Sequence, residues 1–120
     1  MTSNVEFLAE DGVQVAVLGQ EYDNLDAPAI ETAAKQLLEL AQSADPPLVV
    51  VDMRHTKFFG SAFLGVLFRM WRRLTSRGGR LVTCNASGIC AQVLNVTQVE
   101  KLWPLFSSRE AAIRSVKGQS

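Results

Sequence analysis

The hydrophobic pattern changes period along the chain, and each change marks an element. Residues 4–9 alternate in part between apolar and polar, Glu10-Asp11-Gly12 interrupts, and Val13-Gln14-Val15-Ala16-Val17 alternates again. Period two places Val13, Val15 and Val17 on one face of a strand. An Asp-Gly pair between two such runs is a strong hairpin signal, because a two-residue turn needs residues that tolerate positive φ. Strands are therefore predicted over about 4–9 and 13–18, with Gly19 ending the second. The period then shifts to that of a helix. Ile30, Ala33, Ala34, Leu37, Leu38 and Ala41 fall on one face. Asp26 is placed to cap the first turn, and Pro28 is tolerated at an early position that has no intrahelical N–H partner. Pro46-Pro47 cannot continue the helix.

Leu48-Val49-Val50-Val51 shows no alternation at all. A short β-branched run of this kind suits a central parallel strand covered on both faces. Asp52 closes it, at the strand end where open α/β sheets usually carry their functional crevice. A loop over 53–60 and a helix over 61–77 follow. Leu64, Leu67, Phe68, Trp71 and Leu74 make a sufficient core stripe, and Phe63, Val66 and Met70 make a second about 100° away. The surplus fits either a helix buried on two sides or a docking surface for another protein. Arg77-Gly78-Gly79-Arg80 is a turn, with Gly78 suited to a left-handed cap. Leu81-Val82-Thr83-Cys84 is the next buried strand. Ser87 opens a short helix carrying Ile89, Cys90, Val93 and Leu94. Leu102 to Phe106 is predicted as a strand at a sheet edge, since Pro104 has no N–H to give a ladder. Ser107 and Glu110 have capping-box spacing for a last helix with Ala112, Ile113 and Val116 inward. The order β-β-α-β-α-β-α-β-α predicts an α/β fold with a mostly parallel sheet and the first hairpin strand antiparallel.

Composition narrows the class. With 120 residues, 48% of them apolar, the chain is expected to fold as one domain, residues 1–120. Twelve basic and twelve acidic residues cancel, so there is no basic excess to drive nucleic-acid binding. Arg69, Arg72, Arg73, Arg77 and Arg80 are then a solvated face, or a local field that steers an acidic partner. No apolar run approaches the ~20 residues of a membrane span, and the N-terminus lacks a signal-peptide pattern, so a cytoplasmic location away from membranes is expected. Cys84 and Cys90 match no zinc or redox spacing and are expected to be reduced and structural. With His55 as the only histidine, no Cys/His metal cluster is expected, and no cofactor is implied.

Candidate chemistry gathers in Phe58-Phe59-Gly60-Ser61-Ala62-Phe63-Leu64-Gly65, where a small hydroxyl stands at the mouth of a helix. Ser61 fits two roles, a helix cap or a modification site. A nucleophilic triad of Ser61, His55 and Asp52 is disfavoured, because the nucleophile elbow needs G-x-S-x-G and the second glycine is missing. The chain is accordingly read as a non-enzyme.

Several stretches together resemble the STAS domain, the family of bacterial anti-sigma-factor antagonists. Gly19 to Ile30 is similar to the family's G-E-[IL]-D-x-x-x-A-P-x-[LI] segment, with Asp23 at its aspartate and Ala27-Pro28 at its Ala-Pro. Val49 to Asp52 is similar to its central strand. Phe59 to Gly65 stands where the family has F-[MI]-D-S-[ST]-G-L-G-like residues, Gly78 to Leu81 matches its G-G-x-L turn, and Leu94 to Val99 sits on its L-x-x-[TS]-G-[LV] segment. The resemblance implies a STAS-like fold and a regulatory module that binds an anti-sigma factor or a related regulatory kinase. It puts Ser61 on the serine that such a partner phosphorylates to release itself. Partner contacts are then expected from Asp23, Asn24, Phe59, Gly60, Ser61, Ala62, Phe63 and Val66, and the reading leaves room for a homodimer. Gly60, Ala62, Phe63 and Gln98 depart from the pattern, where the family has an aspartate, a second hydroxyl and two glycines. The alternative is a constitutive scaffold or assembly subunit on the same fold, without the switch.

Overall fold

The computed structural model describes residues 5–18, 21–22, 27–56, 58–59, 61–86 and 88–118. Its main sheet has five strands: β1 (Glu6–Glu10), β2 (Val13–Val17), β4 (Leu48–Asp52), β6 (Arg80–Cys84) and β7 (Leu105–Phe106), in the order β1-β2-β4-β6-β7. β1 and β2 form the predicted antiparallel hairpin, with Glu10 opposite Val13. Asp11 and Gly12 both have positive φ, 55° and 79°, which matches the right-handed twist of the flanking strands. Every other pair in this sheet is parallel. The helices are α1 (Ala27–Ser43), α2 (Ser61–Ser76), α3 (Gly88–Val96) and α4 (Arg109–Val116).

The unbroken apolar run of β4 is explained by what covers it. Val49 and Val51 point into a core with Leu37, Ala41, Leu67 and Leu74 from α1 and α2. Val50 points into a second core with Val15, Val82, Ala112 and Val116, roofed by α4. Alternate side chains thus leave opposite faces of the sheet, and both faces are dry.

α2 corrects one expectation. Phe63, Val66 and Met70, the second stripe left open between burial on two sides and docking, are buried, with Phe63 and Val66 at 0% and 1% exposure. α2 packs against both α1 and β6, so the wide apolar face is consumed inside the molecule. Phe63 and Val66 therefore cannot line a partner surface. The stripe assigned to the core is split instead: Leu67 and Leu74 are buried, Leu64 and Trp71 half-buried, and Phe68 is 40% exposed beside the Trp71 ring. The helix ends in a Schellman motif, Gly79 N–H donating to the Leu74 carbonyl and Gly78 N–H to that of Thr75, with Gly78 at φ 78°. Any Cβ on Gly79 would overlap the Pro47 carbonyl oxygen.

The arginine-rich end of α2 is partly structural. Arg73 and Arg77 donate to the Leu38 and Ala41 carbonyls near the C-terminus of α1, and Arg80 donates to the Ser115 carbonyl of α4. Cations near a helix C-terminus suit its dipole.

The end of the chain differs from expectation in two details. The edge strand is present but is only Leu105–Phe106. Residues Val99–Lys101 form a 3-10 turn, and the Leu102 and Trp103 N–H groups both donate to the Val99 carbonyl. Those donors are committed to the turn and Pro104 has none, so the ladder starts late. Gln98 enters this turn at φ 60°, where the family pattern has glycine, at a cost of about 1 kcal/mol. The cap of α4 is Ser108, not Ser107. Ser108 is extended, and its hydroxyl accepts from the Ala111 N–H at 3.1 Å. Ala112, Ile113 and Val116 point inward as expected. Cys84 and Cys90 are both free and buried.

Candidate functional site

Two short strands too brief to leave a pattern in the sequence shape the candidate site. β3 (Glu21–Tyr22) and β5 (Phe58–Phe59) pair in parallel, with Tyr22 beside Phe59. Asp23 and Asn24 follow Tyr22 directly in the chain, and Gly60 and Ser61 follow Phe59. The pairing therefore brings together the strands that lead into the two halves of the predicted partner site, which are far apart in sequence. Asp23, Asn24 and Gly60 lie outside the described residues. Phe59, Ser61 and Ala62 are placed by their backbone.

Ser61 is the first residue of α2. It stands just inside the helix, among the first four N–H groups, which have no intrahelical acceptor. The first turn of α2 contains no acidic residue. The positive end of the dipole thus favours an anion at this position.

The loop that leads there is anchored by the most enclosed polar cluster of the described residues. Asp52 is 0% exposed. Its Oδ1 accepts from the Arg54 N–H and from Asn85 Nδ2, both at 3.0 Å, and its Oδ2 accepts from Arg109 Nε at 3.0 Å. Arg109 also donates to Glu10 at 2.8 Å. Burial alone pulls the Arg109 pKa down, but its hydrogen bonds to Asp52 and Glu10 and their negative charges outweigh it and leave the pKa raised. Arg109 opens α4, where the dipole disfavours a cation; the two carboxylates hold it there. Asn85 sits at φ 61°, a conformation asparagine tolerates better than most residues. The Cys84 thiol beside this cluster is pushed up to about 12, first by burial and then by the Asp52 charge. Burial also raises Cys90, whose Sγ donates to the Thr56 carbonyl at 3.6 Å and ties α3 to the same loop.

This cluster was only half visible in the sequence. Asp52 at the end of an apolar strand signals a carboxylate in need of a cationic partner, but nothing local selects Arg109, fifty-seven positions on. The cluster also bears on the triad. Asp52 is committed to three donors, none of them His55, which is exposed in the turn after Met53.

A family model described as the STAS domain matches residues 22–112. The chain belongs to the STAS domain family. Across 117 residues it is 20% identical to an anti-sigma F factor antagonist from Paenibacillus polymyxa, covering 98% of this chain and 97% of that protein. A solved anti-sigma-factor antagonist (STAS) domain protein from Planctomyces limnophilus is 29% identical, with a TM-score of 0.83 over 94% of this chain and 97% of its own. The Bacillus cell fate determinant SpoIIAA, solved in its phosphorylated form, shares the fold at 18% identity, with a TM-score of 0.68 over 96% of this chain and 99% of its own. This STAS chain thus has the α/β architecture of its relatives, with a five-stranded, mostly parallel sheet and four helices. No helix among the described residues is long and apolar enough to cross a membrane.

Proposed function

We propose that this STAS chain is a regulatory protein-binding module of the antagonist type. It binds an anti-sigma factor through the surface at the start of α2 and releases it when Ser61 is phosphorylated. The observation that carries the reading is the place of Ser61 as first residue of α2, directly after a strand paired with the segment leading to Asp23. The likeness to an anti-sigma F factor antagonist supports the class of partner. Solution of a protein of this fold in a phosphorylated form supports its tolerance of the modification.

The chemistry is a phosphoryl transfer from ATP bound by the partner. The Ser61 hydroxyl oxygen forms the new P–O bond, its proton goes to a base of the partner, and ADP leaves. The product carries ~−1.5 to −2 charges. The positive end of the α2 dipole favours that charge. A partner packed over Phe59 and the loop does not, because a dianion loses its hydration there without an equivalent countercharge. The docking surface consists of Asp23, Asn24, Phe59, Gly60, Ser61 and Ala62, without Phe63 and Val66. The chain itself acts by binding and has no catalytic role.

The test is incubation of the purified chain with an anti-sigma factor kinase and ATP, followed by mass spectrometry. One phosphate on the native chain, mapped to Ser61 and absent from Ser61→Ala, is the expected result. Binding without any phosphate at Ser61 sinks the switch and leaves the constitutive scaffold.

A further inference from the structure

The chain is neutral as a whole, but its charge is divided. Residues 1–60 hold ten acidic and three basic residues, and residues 61–120 hold two acidic and nine basic. The neutral total therefore hides a positive field in the second half, and local fields steer partners. The positive charge is concentrated on α2 and just after it. α2 contains Arg69, Arg72 and Arg73 and no acidic residue, and Arg77 and Arg80 follow. Arg73, Arg77 and Arg80 donate to backbone carbonyls. Arg69 and Arg72 are exposed and form no ion pair with a described carboxylate. Arginines three and four positions apart on one helix repel one another, so Arg69 beside Arg72 and Arg73 is an arrangement that an acidic neighbour would relieve.

Apolar surface accompanies this charge. Phe68, Trp71, Arg72 and Thr75 recur at the spacing that puts residues on one helix face. Phe68 is 40% exposed, and its ring centroid lies 5.6 Å from that of the half-buried Trp71. Trp71 also lines a cleft of about 250 Å³, together with Thr75, Arg80, Leu102 and Pro104. β7 pairs with β6 only at Thr83 and Cys84, so the cleft lies beside a stretch of β6 that has no strand on that side. Its volume is below that of most small-molecule sites and suits one large side chain. Exposed aromatic surface, an anchor-sized cleft and arginines in one continuous patch are the make-up of a protein-docking hot spot.

We propose that this face of α2 and its cleft form a second docking surface, for an acidic segment of a partner protein that carries one large apolar side chain. Arg69 and Arg72 pair with carboxylates of the segment, since a guanidinium matches a carboxylate with two parallel hydrogen bonds. The apolar side chain enters the cleft beside Trp71 and fixes the register. An anionic membrane meets the charge but presents no side chain to the cleft. Thr75 lies fourteen residues beyond Ser61, about 20 Å along the helix. The surface is thus separate from the one at the start of α2 and does not rest on phosphorylation of Ser61.

The probe is a peptide with a single leucine between two runs of glutamate, and the control has serine in place of the leucine. Each is titrated into the ¹⁵N-labelled full chain. The leucine peptide is expected to move the amides of Phe68, Arg72, Thr75 and Leu102 and the Trp71 indole resonance, which Trp71→Phe assigns. The serine peptide is expected to bind about 10-fold more weakly. Arg69→Glu combined with Arg72→Glu should weaken the leucine peptide by about 10-fold or more. Thr75→Trp, at an exposed position, fills the cleft and should bring the two peptides to equal affinity. Phe68→Ser should also weaken the leucine peptide, and it keeps the test decisive if Thr75→Trp misfolds. No shift on this face, equal affinity of the native chain for the two peptides, or unchanged binding in the folded double variant overturns the proposal. Binding to vesicles of phosphatidylglycerol and phosphatidylcholine that the double variant loses would give the face to a membrane, and a dimer that the double variant dissociates would give it to a second copy; either result overturns the proposal as well.

Discussion

Asp52 and Ser61 are both short polar residues that follow the central strand, and the fold uses them in opposite ways. Asp52 is sealed at 0% exposure and shared among the Arg54 N–H, Asn85 and Arg109. Ser61 opens α2, at the positive end of a helix dipole whose first turn has no acidic side chain. A polar residue at a strand end is thus not a functional residue by position. Asp52 has its partners inside the molecule and fixes the loop. Ser61 stands at the positive end of the α2 dipole, which favours an added anion. Under the proposed function the contrast gives stability to one residue and switching to the other, and substitutions can separate the two.

The largest effect should come from the apolar residue nearest the switch. Phe63 is fully buried, so Phe63→Ala is expected to destabilise the fold by about 3–5 kcal/mol. Denaturant unfolding reads this directly. A variant of native stability with weakened partner binding would place Phe63 on the docking surface after all and break the contrast. Arg109→Ala comes next. It leaves the buried Asp52 charge without its cation, and a loss of about 3 kcal/mol is expected, toward the lower end for a buried pair because Arg109 keeps 21% of its side-chain exposure. A loss within about 0.5 kcal/mol, the range of an ordinary surface change, would show that the latch contributes nothing.

A pH titration sharpens the same point from the thiol beside Asp52. The Cys84 thiol is raised from 9.0 to about 12 in the folded chain. A raised folded-state pKa contributes stability that is fully present below the unfolded value and is lost as pH rises through the folded one. Thermal unfolding should therefore show a stability loss between about pH 9 and 12 that is smaller in Cys84→Ala, read as the difference between the two curves. Parallel curves would mean that Cys84 does not feel its burial or the Asp52 charge.

Much of this molecule was legible in its sequence for physical reasons that differ by region. The β4 run, the Asp11-Gly12 turn and the α1 stripe were readable because period and turn chemistry are local properties. The facing of α2 was not, because its two adjacent apolar stripes both satisfy the helical period, and period alone does not say whether the second is covered. β3 and β5 were invisible because two residues cannot show a period. At the site, Ser61 was legible through the motif around it, whereas Arg109 was not, since its pairing with Asp52 is made by the tertiary fold. Even the α4 cap slipped by one residue, because Ser107 and Ser108 offer the same hydroxyl and only the extended backbone of Ser108 selects it.

The most direct test of the proposed switch is the affinity of the chain for a candidate anti-sigma factor, measured by calorimetry with Ser61 unmodified and with phosphoserine at position 61. Docking over a desolvated dianion should weaken binding about 100-fold or more, a cost of about 3 kcal/mol, while the unfolding midpoint stays within about 1 kcal/mol of the unmodified chain. Equal affinity of the two forms, both folded, would contradict the account and assign Ser61 to the helix alone.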